Sequence, residues 1–271
     1  MYKLICVDLD GTLLNTRGII TPQNKHAIRE ALDAGIEVAI VSGRPNCFTI
    51  RIMNQISVKM SHITFNGGYY RVAGKTRTFP IPAKAADKIA ELAETYNVRT
   101  YFKNKNLALC TKTDPGVLDY DLYKEVTPEK DRMDMYYSVD TKRILEHDAE
   151  YLKIIALQDD IDALNKMADE VAKIEGIRMY RYPDYFEVSS IDTSKGLAIK
   201  AVCEDLGIDL ADVVCIGDNF NDLPMFEVAG LSVAMKNAPD AVKEKVDKVT
   251  LSNDESGVAY AIENFVLKEQ K

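Results

Sequence analysis

The chain has 271 residues, enough to bury a sizeable core in one large domain or two modest ones. Its 42 acidic and 34 basic residues leave a formal charge of −8, which argues against nucleic acid as a partner, because that surface must be positive. No apolar run is long enough for a membrane span, and five cysteines without Cys-x-x-Cys spacing read as reduced thiols of a cytoplasmic protein rather than a disulfide framework or zinc site.

Leu4-Ile5-Cys6-Val7 reads as a buried strand, and Asp8 ends it too early for a secretion leader. The strand stops at Asp8-Leu9-Asp10-Gly11-Thr12. Carboxylates at i and i+2 at the end of a parallel strand lie on the carboxyl edge of the sheet, where open α/β folds bind ligands. Gly11 permits a sharp turn, and the Thr12 hydroxyl can bond within it or to an anion. Two acids in a half-buried site are unfavourable unless a cation binds or one stays protonated. The pattern points to a metal site with a carboxylate nucleophile, although residue type alone also allows two capping acids. Thr21-Pro22 starts a helix with an apolar face at Ile28, Ala31 and Leu32, closed by Gly35. Val38–Val41 is a second buried strand, ending in Ser42-Gly43-Arg44, where a hydroxyl and a glycine amide can hold an anion. A helix follows from near Pro45, then a strand Ile63-Thr64-Phe65, the turn Asn66-Gly67, and a hairpin over Tyr69 to Phe79 centred on Ala73-Gly74-Lys75.

Pro80-Ile81-Pro82 reads as a hinge. Beyond it the rhythm changes to two helix-strand-strand halves around an irregular stretch. Ala85–Tyr96 and Ile161–Ile174 are the expected helices; Val98–Phe102, Leu107–Thr111, Leu152–Leu157, Ile177–Tyr182 and Phe186–Ser189 are the expected strands. Thr193-Ser194-Lys195-Gly196 then opens a helix whose amide-rich start carries a lysine, a natural partner for phosphate. Val213–Ile216 is a further buried strand, ending in Gly217-Asp218-Asn219-Phe220-Asn221-Asp222. The expected architecture is α/β: a Rossmann-like, doubly wound, mostly parallel core from residues 1–82 and 190–271, with an α+β cap inserted over 83–189.

Four motifs in this order, at Asp8-Leu9-Asp10-Gly11-Thr12, Ser42, Lys195 and Gly217–Asp222, resemble the haloacid dehalogenase-like phosphohydrolase superfamily. The Asn66-Gly67-Gly68 turn and the long insert resemble its Cof-type branch with a large α/β (C2B-type) cap. The resemblance implies that Asp8 attacks phosphorus to form an aspartyl-phosphate, and that Asp10 acts as general acid and base. It implies Mg²⁺ held by Asp8, the Asp10 backbone carbonyl and Asp218, with Asp222 as a water-mediated partner or, equally, a helix cap. Leu9, Ser42, Gly43, Lys195 and Asn221 would bind the phosphoryl group. Lys195 by type alone also fits a solvated helix face, and Arg44 either reaches substrate or pairs with an acid.

The implied activity is a Mg²⁺-dependent phosphatase acting on a small phosphorylated metabolite, with sugar phosphates the expected class. The alternatives are a phosphomannomutase-like phosphomutase and a non-catalytic binder of phosphorylated ligands. Tyr180–Tyr185 reads as a strand and turn or as a lid that brings Arg181 to the leaving group. His26, His62 and His147 are scattered and read as surface or packing residues. Oligomeric state is open.

Overall fold

The computed structural model describes residues 1–57, 60–113, 129, 132–146, 149–158 and 160–268. The chain divides into two compact units, one of Met1–Arg44, Thr49–Arg77 and Ser194–Lys271, the other of Pro45–Phe48 and Thr78–Thr193.

The first unit is built on an eight-stranded sheet. Strands β1 (Leu4–Asp8), β2 (Glu37–Val41) and β3 (Ser61–Thr64) run parallel, and β4 (Tyr69–Val72) turns back antiparallel on β3. Strand β5 (Lys75–Thr78) follows at that edge. The turn between β4 and β5 is made by Ala73 and Gly74, both with positive φ, as a tight hairpin requires. On the other side of β1 lie β12 (Val213–Gly217), β13 (Leu231–Ala234) and β14 (Lys248–Val249), all parallel. Strand β1 is thus where the strand order reverses, and ligand crevices open outside the carboxyl ends at such points.

Ile5, Val7, Val38, Ile40, Val214 and Ile216 form one face of the sheet. They pack against helix α1 (Pro22–Asp33), α9 (Gly257–Ala261) and the turns that continue it. Thr21 caps α1, its side chain accepting from the Asn24 amide, and Pro22 takes the first turn. The alternate residues Leu4, Cys6, Ala39, Val41 and Cys215 are equally buried on the second face. A strand sealed on both faces must be apolar throughout, which is why these segments read as continuous hydrophobic runs. Strand β3 begins two residues earlier than the sequence suggests and ends before Phe65, whose φ of 55° is incompatible with extended chain.

The second unit has a six-stranded sheet in the order β10-β11-β9-β6-β7-β8. Its strands are β6 (Arg99–Lys103), β7 (Leu107–Cys110), β8 (Asp134–Tyr136), β9 (Lys153–Leu157), β10 (Ile177–Arg181) and β11 (Tyr185–Ser190). Phe102, Leu109, Ile154, Phe186 and Val188 face helices α3 (Ala83–Thr95), α4 (Thr141–Glu146) and α5 (Ile161–Val171). Strand β8 and helix α4 fall in the stretch expected to be irregular. A three-residue edge strand is too short to show a period. Arg181 points to the helical side, where its guanidinium reaches Asp169 Oδ1 and Asn165 Oδ1, both at 2.8 Å. It therefore anchors α5, and of the two readings open for Tyr180–Tyr185 the strand followed by a turn is the one found. Tyr182 and Tyr185 stack across the turn that follows, with ring centroids 4.3 Å apart.

His26 is on the surface of α1 near Glu30, and His147 lies outside the described residues. His62 is 3% exposed, and neither ring nitrogen has a hydrogen-bond partner among the described residues. Burial, aided by the nearby Arg71 charge, pushes its pKa down to about 4. The unfolded chain then takes up a proton that the folded chain refuses, so stability falls as pH drops from about 6.5 toward 4. The loss attributable to His62 should reach about 3 kcal/mol near pH 4. His62→Phe should remove that component, so urea midpoints at neutral and acid pH should converge relative to wild type. An unchanged pH dependence in the variant would exclude His62 as its source.

Candidate active site

Strands β12, β1 and β2 are adjacent, with Val7 paired to Ile216 and Asp8 to Val41. Their carboxyl ends therefore set Asp218, Asp8 and Ser42 side by side on one edge. Residues far apart in sequence meet there because each closes a buried parallel strand.

The first turn is held from two directions. Gly11 has φ 80°, and a Cβ there would come within 2.4 Å of Asp218 Oδ2, so no side chain fits. Thr12, fully buried, donates its hydroxyl to Asp218 Oδ1 at 2.7 Å. Asn237 Nδ2 donates to the Gly11 carbonyl at 2.8 Å, while Asn237 Oδ1 accepts from the Asn253 amide. Asn237 lies beyond every sequence motif, and the only local signal for it is an asparagine soon after strand β13.

Lys195 is the first residue of helix α6 (Lys195–Leu206), whose N-cap Ser194 accepts from the Leu197 amide at 3.1 Å. Its side chain is fully buried, with Nζ 2.5 Å from Asp8 Oδ1 and 2.6 Å from Asp222 Oδ1. Asp222 uses its other oxygen to accept from the Asp218 and Asn219 amides, each at 2.9 Å. It closes a capping box with Asn219, the helix-cap reading that the sequence left open. Asp8 has one oxygen on Lys195 and no donor to the other among the described residues.

Asp10 and Arg44 are more exposed and face each other, Arg44 Nε to Asp10 Oδ2 at 2.8 Å and Nη2 to Oδ1 at 2.5 Å. This fork geometry fixes the plane of the Asp10 carboxylate. Ser42 is buried, its hydroxyl accepting from the Arg44 amide at 3.1 Å. A Cβ on Gly43 would approach Asn66 Oδ1 to 2.9 Å. That oxygen is buried with no hydrogen-bond partner among the described residues, and Asn66 sits at φ 55° on the turn after β3. Leu9 turns its side chain into the hydrophobic core, so only its backbone can serve a ligand. Asn221 is exposed on the short turn between Asp218 and Asp222.

Carboxylate oxygens of Asp8, Asp218 and Asp222 lie within 4.8 Å of one another. Burial pushes the Asp8 carboxyl up to about 8, with Asp222 and Asp218 adding and Lys195 opposing. Asp218 is raised to about 6, chiefly by burial, while the Thr12 hydroxyl works the other way. Lys195 is held above the ordinary lysine range because its two carboxylates outweigh its burial. Three acids against one lysine leave negative charge uncompensated, and the donors are all oxygen. This set fits a hard divalent cation, which Asp8 and Asp218 would hold, Asp222 being committed to Lys195 and two amides.

A family model described as haloacid dehalogenase-like hydrolase matches residues 5–262. The chain belongs to that family, in its Cof-type IIB branch. It is 30% identical to the Bacillus subtilis 5-amino-6-(5-phospho-D-ribitylamino)uracil phosphatase YwtE, across 97% of this chain and 98% of that one. It is 32% identical to the putative phosphatase YxeH of the same organism, across 98% and 99% respectively. A haloacid dehalogenase-like hydrolase from Bacteroides thetaiotaomicron superposes with a TM-score of 0.84 at 27% identity, covering 98% of this chain and 100% of that one. The chain is accordingly an enzyme, a phosphoric monoester hydrolase. No helix among the described residues is long and apolar enough to cross a membrane.

Both Asp222 oxygens accept hydrogen bonds, whereas an amide has a single acceptor. Asp222→Asn must therefore set a donor against Lys195 or against the two amides. It should destabilise the protein by about 3 kcal/mol or more in urea unfolding. Arg44→Ala breaks an exposed pair and should cost at most about 1 kcal/mol. Equal midpoints for the two variants would contradict this ordering.

Proposed function

We propose that the chain is a Mg²⁺-dependent phosphatase that hydrolyses small phosphomonoesters through an aspartyl-phosphate on Asp8. The observation that carries this reading is the state of Asp8: buried at a strand end, fixed by Lys195 through one oxygen and undonated on the other. The undonated oxygen attacks phosphorus as the ester oxygen departs with the bonding pair. Asp10 stands two residues on, exposed and oriented by Arg44, where it supplies a proton to the departing alkoxide. It then takes a proton from the water that cleaves the acyl-phosphate. Lys195 and the Ser42–Gly43 turn carry the charge of the phosphoryl oxygens, with Asn221 at the exposed rim. A divalent cation held by Asp8, Asp218 and the Asp10 carbonyl would offset the carboxylates and draw charge from the phosphoryl group. Polyol and sugar phosphates are the favoured substrate class, supported by the phosphorylated ribityl group in the name of the YwtE relative.

Asp8→Asn should abolish turnover of every phosphomonoester while the protein stays folded, since the amide is nearly isosteric and a poor nucleophile. Stripping metal with EDTA should silence the wild type, and Mg²⁺ should restore it; phosphate release surviving either treatment would sink the mechanism.

Asp10→Asn should lower kcat by roughly 10²–10⁴-fold on an alkyl phosphate and far less on p-nitrophenyl phosphate, whose leaving group needs no proton. Equal losses on both would remove Asp10 from proton transfer.

A further inference from the structure

The turn that follows β3 meets the catalytic edge at Gly43. The Asn66 and Phe65 amides donate to the Ser42 and Arg44 carbonyls, at 3.0 and 3.2 Å, and the Ser42 amide donates to the Ile63 carbonyl at 2.8 Å. The Gly43 amide between them has no acceptor among the described residues. A Cβ on Gly43 would lie 2.9 Å from Asn66 Oδ1 and 3.2 Å from its Nδ2, so the carboxamide lies side-on against the Gly43 backbone. No left-handed backbone calls for glycine at position 43; the room taken by the Asn66 side chain does. On its other side the turn is pressed against the residue before Lys195, because a side chain on Gly67 would collide with the Ser194 carbonyl. Asn66 therefore stands where the Ser42 turn and the start of α6 come together.

Asparagine at φ 55° has an ordinary explanation, since it tolerates the left-handed region better than most residues. Glycine tolerates it better still, and would not force a second glycine at position 43. The carboxamide is moreover idle: Oδ1 is buried with no donor, and Nδ2, the open end, has no acceptor among the described residues. Polar groups packed this closely against backbone are ordinarily hydrogen-bonded. Two idle donors close together, Nδ2 and the Gly43 amide, make a place for an oxygen of an anion. We propose that Asn66 is a further residue of the oxyanion-binding turn, its Nδ2 donating beside the Gly43 amide to an oxygen of the bound phosphoryl group. The phosphoryl identity of that anion rests on the phosphatase reading above, whereas the anion site does not. The donor is in place before a ligand arrives, since Gly43 and Gly67 let the turn seat closely against its neighbours.

Asn66→Gly and Asn66→Asp test this on the full chain, with folding followed by circular dichroism and urea unfolding. Asn66→Gly keeps the left-handed backbone and removes the carboxamide, so it should fold with a urea midpoint near that of wild type. Calorimetric titration with inorganic phosphate in the presence of Mg²⁺ should show its affinity weakened about tenfold or more, the loss of one hydrogen bond to a charged group. Asn66→Asp is nearly isosteric but sets a carboxylate against the anion, and should weaken phosphate further than glycine does. On p-nitrophenyl phosphate kcat/KM should fall in Asn66→Gly by the same factor as the phosphate affinity. Variants that match wild type in phosphate affinity and kcat/KM overturn the assignment, as does an aspartate variant that binds phosphate better than the glycine one. Asn66→Gly that loses stability or fails to fold, with phosphate affinity kept by Asn66→Asp, leaves the side chain a role in the turn alone and overturns it too. A wild type that binds phosphate through Asn66 but releases none from any ester keeps the anion site and removes the phosphatase reading. Hydrolysis by the wild type with Asn66→Gly unaffected does the reverse.

Discussion

The structure of the catalytic edge depends on the fully buried ammonium of Lys195, held between Asp8 and Asp222. Carboxylates this close repel one another strongly in a medium of low polarisability, and a strand end packed on both faces gives little water to screen them. One lysine lets Asp8 and Asp222 share the space, but it cannot neutralise Asp218 as well. The residual negative charge makes a divalent cation a natural occupant. It also explains how a chain of net charge −8 can serve an anionic substrate: the field at the site is set locally.

Holding that lysine requires order elsewhere. Lys195 begins a helix, so its backbone position follows from the Ser194 cap. Asp222 holds it from the other side while tying down the amides of Asp218 and Asn219. Thr12 and Asn237 pin the turn that carries Asp10. The result is a set of donors and acceptors whose orientation is fixed before any ligand arrives, the condition under which electrostatic stabilisation is most effective. Asp10 and Arg44 differ from this frame in being more exposed, which fits the proton-transfer role proposed for Asp10.

The second unit uses its sheet asymmetrically. One face is a conventional hydrophobic core under three helices, and the other mixes charge with small apolar side chains. A face relieved of core duty can change its side chains without unfolding the sheet, so this is where chemistry that differs among relatives of one fold can accumulate.

Much of this was legible in the sequence because it is local. Apolar runs that stop at Asp8, Val41 and Gly217 announce buried parallel strands, and the acids and hydroxyls beyond them are bound to share an edge once the strands pair. Thr21-Pro22, Ser194 and Ala73-Gly74 carry their own cap and turn chemistry, so α1, α6 and the β4–β5 hairpin could be read directly. Tertiary structure alone decided what depends on a partner distant in sequence. Asp222 accepts from two amides and a lysine 27 residues away, and Lys195 reaches Asp8 across 187 residues. Asn237 finds Gly11 at a separation of 226, and Arg181 turns toward α5 because of its parity on β10. Strand β8 exists only by pairing with β7. A periodic pattern reports which face of an element is buried, whereas the partner on that face is set by how the elements pack, and no single stretch of sequence contains that information.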